Sequence, residues 1–208
     1  MNILNPLTIA SFVVLIFSIV IHEVSHGSMA HQLGDETAKR EGRLSLNPVK
    51  HIDLVGTILL PLMLVFINSP IVIGWAKPVP VNFNNLIDKK WGELKVALAG
   101  PLSNILVGIV CGLLVRFFEL PETLTMILSL AIIYNIVLAL FNLIPIPPLD
   151  GSHVLFSFLR NNYQLKAVLS QFGFLILIFV LFLTPVLDYL FYLTVYLADL
   201  ITQGKLIL

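Results

Sequence analysis

Phe12-Val13-Val14-Leu15-Ile16-Phe17-Ser18-Ile19-Val20-Ile21 runs directly into His22-Glu23-Val24-Ser25-His26, and the fold is read outward from that junction. Two histidines four apart on a helix are separated by about 400° of rotation, so both imidazoles leave the same face. Such a pair supplies two of the three protein ligands of a catalytic zinc, with the intervening Glu placed as general base. In soluble chains a bare five-residue pattern recurs by chance. Here it continues an apolar run long enough to cross a bilayer, where ionisable groups are costly and kept for function or paired. The plainer alternative is two hydrogen-bonded core histidines beside a capping Glu.

Composition agrees with a membrane setting. Of 208 residues 58% are hydrophobic and only 12% charged, with zero net charge, whereas soluble domains carry about 25% charged residues. No basic run interleaved with aromatics is present, so nucleic acid is not an expected partner. The one cysteine, Cys111, lies in an apolar stretch and reads as a small core hydrophobe. The first apolar stretch has no basic n-region or small-residue cleavage site and reads as a retained span.

Apolar stretches occupy residues 6–29, 52–73, 94–118, 123–144 and 167–203. The last exceeds one ordinary span, and Thr184-Pro185 near its middle predicts two helices. This gives an all-α polytopic membrane protein with about five to six transmembrane helices. One domain is expected over 1–208, with a core over residues 6–151 and C-terminal helices over 165–203. Residues 74–93 differ from the rest. Gly74-Trp75-Ala76-Lys77-Pro78-Val79-Pro80 predicts extended or β-like chain, because residues before proline avoid the helical region. Such a segment would suit pairing with an unfolded substrate strand, though a plain interhelical loop fits as well.

A hydrolytic zinc needs a third protein ligand. Asp35, Glu36 and Glu41 lie among Lys39, Arg40 and Arg43, where a solvated, mutually paired loop explains them. Asp53 reads as a helix cap. Asp150 closes Asn142-Leu143-Ile144-Pro145-Ile146-Pro147-Pro148-Leu149-Asp150, whose prolines forbid a continuous helix. Broken backbone at membrane depth is tolerated only inside protein or beside water, which suits a metal site; a turn with an Asx-type hydrogen bond also fits.

Topology bears on the choice. If residues 52–73 cross fully, three crossings separate His26 from Asp150 and leave them on opposite faces. If that segment is re-entrant, broken near Pro61, two crossings remain and the motifs meet. The re-entrant version also gathers the basic residues on one face, with Arg116 opposite and Lys205 joining the majority if 167–203 forms two spans. The positive-inside rule then makes that face cytoplasmic.

The chain resembles the site-2 protease family of intramembrane zinc metalloproteases. The resemblance rests on His22-Glu23-Val24-Ser25-His26, on Gly100-Pro101-Leu102-Ser103-Asn104, and on Asn142 to Asp150-Gly151. It implies a three-helix catalytic core with one re-entrant segment, and one Zn²⁺ held by His22, His26 and Asp150. It further implies Glu23 as water-activating base and Asn142 as a substrate-binding or oxyanion residue. The implied substrate is a transmembrane protein or peptide, cut by an integral multi-pass protein of the inner cell membrane with its site open to the cytoplasm. The chain departs from the family in Asn142-Leu143, where Asn-Pro is common, and in His153, to which no ligand role is given. No loop is long enough for a PDZ or cystathionine-synthase-type domain.

Asn142 could equally secure the broken helix by an interhelical hydrogen bond, and Gly100, Pro101 and Asn104 read as structural, permitting close helix approach. His31 falls one residue short of the extended metzincin spacing. The rival function is divalent-metal transport, since some carriers hold similar histidine pairs in a span. A carrier needs ligands along a whole pathway, and residues 167–203 offer only Asp188 and Asp199.

Overall fold

The computed structural model describes residues 6–67, 74–159 and 162–207. Helix α1, Pro6–Gln32, ends where Gly34 takes a left-handed φ of 101°, a conformation that costs glycine nothing. A short α2, Thr37–Arg40, follows. Asn47 then caps a 3₁₀ turn, Pro48–His51, through the Val49 N–H. Asp53 accepts from the N–H groups of Val55 and Gly56, capping a π-helical stretch, Leu54–Leu59, that passes into α3, Leu60–Phe66. Residues 54–66 rise roughly 20 Å, short of the roughly 30 Å hydrocarbon core. The Trp75 N–H donates to the Gly56 carbonyl and the Lys77 N–H to that of His51. The chain therefore comes back to the end from which α3 departs. Residues 68–73, the end of the apolar stretch 52–73, lie outside the described residues.

Residues 74–82 form neither helix nor strand, and a 3₁₀ turn follows at Phe83–Asn85. No strand forms among the described residues, so the β-like loop is irregular chain. Pro78 and Pro80 explain this, since each removes an N–H that a ladder would use. Asp88 starts the next helix: its carboxylate takes the Lys95 ammonium and the N–H groups of Trp91 and Lys90. The ammonium first, then the Trp91 N–H, pull this carboxyl down to about 2.

Helix α4, Gly92–Phe117, runs antiparallel to α1, and α5, Glu122–Asn142, returns beside both. Pro145, Pro147 and Pro148 interrupt the chain, and α6, Asp150–Phe158, begins on Asp150 itself. Then come α7, Tyr163–Leu183, and α8, Val186–Thr202, separated at Thr184-Pro185 as expected. Helices α1, α4, α5 and α7 are long and apolar enough to cross a membrane. Their outer faces carry exposed Phe12, Leu106 and Phe174, as suits a hydrocarbon solvent. Inside, Val115, Ile132, Ile136 and Ala198 join α4, α5 and α8.

The C-terminal half of α1, the start of α4 and the end of α5 thus meet at one end of the bundle. Lys205 is expected with the other basic residues only if residues 167–203 form two spans. Helix α8 starts beside Phe141 and ends with the Lys205 ammonium on the Arg116 carbonyl. Lys205 therefore shares the far end with Arg116 instead of joining the other basic residues, because α8 alone runs from the one end to the other.

Candidate metal centre

His22 and His26 are buried on the side of α1 that faces α4, and Asp150 reaches them from the first residue of α6. His22 Nε2 lies 3.0 Å and His26 Nε2 3.2 Å from the same Asp150 Oδ2, and the two Nε2 atoms are 3.1 Å apart. Each ring is gripped from its other nitrogen. His26 Nδ1–H donates to the Val96 carbonyl at 2.7 Å and His22 Nδ1–H to Asn104 Oδ1 at 2.5 Å. A carbonyl oxygen only accepts, so His26 carries a proton on Nδ1, which leaves Nε2 as the atom turned to Asp150 and, in the neutral ring, the one with the lone pair. Asn104 Nδ2 donates to the Ser18 carbonyl, which turns Oδ1 toward His22 and fixes the same tautomer there. Pro101 deletes the donor to the Ala97 carbonyl and loosens the turn from which Val96 reaches His26.

With both Nδ1 atoms bonded away, two Nε2 atoms and one carboxylate oxygen confront one another. They repel unless a positive charge sits among them. Their separations approach the roughly 3.3 Å edges of a tetrahedron with zinc bonds of about 2.0–2.2 Å. Room for an ion comes from Gly100, where a Cβ would stand 2.3 Å from His26 Nε2 and 2.7 Å from His22 Nε2. The donor set, two imidazole nitrogens and one carboxylate oxygen, fits zinc and leaves a fourth position open. Among the described residues these three form the one group of acidic, His or Cys side chains close enough to share an ion.

Glu23 is half-buried beside the histidines, and its Oε2 accepts the Val79 N–H at 2.8 Å. Val79 offers the sole backbone donor between Lys77 and Val81, because its neighbours are prolines. Buried Arg43 holds this segment from its other edge, donating Nη2 to the carbonyls of Lys77 and Pro78. Asp35 corrects the solvated-loop reading. It is wholly buried, taking hydrogen bonds from Thr37, the Asn82 N–H and Asn85. Burial alone would raise its carboxyl, but the bonds from Thr37, Asn82 and Asn85 outweigh that and hold it below the usual range. Glu36 pairs with Arg40 in solvent as expected.

Asn142 donates to the Leu138 carbonyl of its own helix, and no hydrogen bond joins it to His22, Glu23, His26 or Asp150 among the described residues. His153 bonds Glu93 and lies against Phe83, apart from the cluster. Asn135, Asp35, Arg43 and Val79 escaped the sequence reading. The Asn135 amide within the apolar run of α5 was the available signal for one of them. Pro78-Val79-Pro80, with its lone N–H, was the signal for another.

The family description Peptidase family M50 matches residues 119–180. YwhC of Bacillus subtilis (strain 168), provisionally named a zinc metalloprotease, is 35% identical over 88% of this chain and 85% of its own. Rip2 of Mycolicibacterium smegmatis, with the same provisional name, is 28% identical over 93% of this chain and 76% of its own. Zinc metalloprotease MJ0392 of Methanocaldococcus jannaschii is 28% identical over 73% of this chain and 35% of its own. The chain belongs to peptidase family M50, the site-2 proteases. No solved structure matches it. This M50 member is an integral membrane zinc metalloprotease by family, and its donor set fits the Zn²⁺ that the family implies. Neither the family nor the relatives support a metal transporter.

Proposed function

We propose that the chain is an intramembrane endopeptidase that cuts transmembrane proteins or peptides, with His22, His26 and Asp150 as zinc ligands and Glu23 as general base. One observation carries this reading: two Nε2 lone pairs and one carboxylate oxygen converge beside a carboxylate on the same helix. The ion, when bound, supplies Lewis acidity and brings a water within reach of deprotonation near neutral pH. Glu23 Oε1 takes that proton while Oε2 stays on the Val79 N–H, which keeps the carboxylate aimed. Asn142 leaves the Leu138 carbonyl to donate to the developing oxyanion, where one donor is worth about 10²–10³ in rate. A substrate helix must unwind at the cut, since its amides are shielded by their own hydrogen bonds.

Several observations support a site open to the cytoplasm of the inner cell membrane. The return of Trp75 and Lys77 to Gly56 and His51 fits a re-entrant path for residues 54–75. Two crossings, α4 and α5, then separate the motifs. The loops carrying Lys39, Arg40, Arg43, Lys50, Lys77, Lys89 and Lys90 lie at the metal-centre end, against Arg116 and Lys205 at the other. The whole chain acts as one membrane domain.

The test is Glu23→Gln in detergent-purified protein presented with a transmembrane substrate. Zinc should stay near one per chain while cleavage falls by about 10²–10⁴, the usual worth of a general base. Full cleavage by the variant would refute the assigned role. Asp150→Ala should lose most of its zinc; undiminished zinc would move the third ligand elsewhere.

A further inference from the structure

Behind His22, a buried chain of amides crosses three helices. Asn104 and Asn135 are almost wholly buried, on α4 and α5. Asn135 Nδ2 donates to the Ala131 carbonyl at 2.8 Å and to Ser18 Oγ at 2.8 Å. Asn104 Nδ2 donates to Asn135 Oδ1 at 2.7 Å and to the Ser18 carbonyl at 3.1 Å. Ser18 Oγ in turn donates to the Val14 carbonyl at 2.9 Å, so toward Asn135 it can only accept.

The polarity of the whole chain follows from its ends. The Ala131 and Val14 carbonyls have no proton to give, so the nitrogen of Asn135 must face them and Ser18 Oγ. Its oxygen must then face Asn104. The Ser18 carbonyl and the Asn135 oxygen together demand the nitrogen of Asn104, and its oxygen is left for His22 Nδ1–H. Turning either amide over would set oxygen against oxygen in a buried site. An acceptor bonded to the outer N–H of a ligand histidine fixes its tautomer and ring orientation.

We propose that Asn135 is a positioning residue for the metal centre, acting through Asn104 to keep His22 in the tautomer with Nε2 free. The inference rests on His22 being a zinc ligand. It assigns a role to a residue two hydrogen bonds removed from any ligand atom. It also explains why a costly amide stands in the middle of an apolar helix.

The experiment measures zinc release to a chelator and the visible spectrum of the cobalt(II)-loaded protein, neither of which needs a substrate. Asn135→Leu keeps the branched skeleton of the side chain and removes the polarity. It should release zinc about 10–100-fold faster, the usual cost of losing a hydrogen-bond partner behind a ligand, and change the cobalt band. Asn135→Asp is nearly isosteric, and burial favours its neutral acid. Its carbonyl oxygen accepts from Asn104 while its O–H serves Ala131 or Ser18 Oγ. It should release zinc within about threefold of wild type.

A role in packing alone gives the reverse order, since Leu suits an apolar helix and Asp does not. Wild-type release and spectrum in Asn135→Leu would overturn the proposal, as would release from Asn135→Asp as fast as that expected for Leu. If the Leu protein cannot be recovered folded, the Asp variant decides alone by the same two readings. His22→Ala separates the two layers of argument. Wild-type zinc in that variant would remove the ligand assignment beneath the proposal. Loss of zinc there, with an unaffected Asn135→Leu, would remove the proposal alone.

Discussion

The two sides of the site are built from different materials. The metal side is held by α1, α4, α5 and α6, where the buried Asn104 amide fixes the ring of His22 and the Val96 carbonyl that of His26. The base side is held by irregular chain, residues 43–57 and 75–85, where backbone groups are clasped by buried charges. Arg43 takes the carbonyls of Lys77 and Pro78, Asp35 takes the N–H of Asn82, and Glu23 takes that of Val79. Helix interiors consume most of their own backbone groups, so this wall positions His22 with a side-chain amide and spares a backbone carbonyl only for His26, at the turn that Pro101 loosens. Irregular chain has backbone groups to spare and positions a carboxylate with one of them. If this division is real, damage on the metal side empties the centre, whereas damage on the base side leaves zinc in place and slows turnover.

The largest effect is expected at Gly100. An alanine there puts its methyl onto both Nε2 atoms, at 2.3 Å and 2.7 Å, and the packed helices leave no slack for it. Gly100→Ala should purify with little or no zinc by metal analysis. Gly108→Ala is the control, about two turns further along α4, where the nearest atom to the added carbon is Ile136 Cγ1 at 3.2 Å. It should retain about one zinc per chain, as a catalytic site requires. Equal zinc in the two variants would mean that α4 does not bound the ion as the geometry requires.

How much of this was legible in the sequence follows the same division. Helices α1, α4 and α5, the break at Thr184-Pro185 and the meeting of His26 with Asp150 were readable, because apolar length, proline and parity dictate them. Asp53 as a cap was readable too. Asp35 was not: its neighbours are charged, and only the fold reveals that it turns inward to Asn82 and Asn85 across nearly fifty residues. Asn104 was read as structural, yet it touches His22; a pattern of small residues cannot tell a helix contact from a ligand contact. The place of Lys205 hung on whether 167–203 forms two spans, and hydropathy gives the length of α7 and α8 but not the direction in which each is packed. Residues 74–82 are non-helical chain, as the prolines that the sequence displays require.

The next effect in size tests the base side. Val79→Pro removes the one N–H on Glu23 from a segment already extended by its flanking prolines, so little else need change. Zinc should be retained while kcat falls about tenfold, well short of the 10²–10⁴ lost with the base itself. Val79→Ala keeps the N–H and should stay near wild type. Zinc loss in Val79→Pro would show that the two sides are not separable. Equal activity in both variants would show that Glu23 needs no backbone support.

The smallest effect concerns Asp35 and is a matter of stability and pH. Its carboxyl titrates below the ordinary value of about 3.9 in the folded protein. A group depressed on folding stabilises fully above its unfolded pKa, and that contribution fades as pH falls through the lower, folded one. The contacts holding residues 82–85 should therefore be intact at pH 5–7 and open only well below about pH 4. Asp35→Asn keeps the shape but loses the charge and leaves a donor facing donors, at about 1–3 kcal/mol. Limited proteolysis near Asn82 should then proceed faster at every pH, without the acid-dependent step of the wild type. The same step in both proteins would assign it to another carboxylate, with Asp88 and its Lys95 partner the next to change.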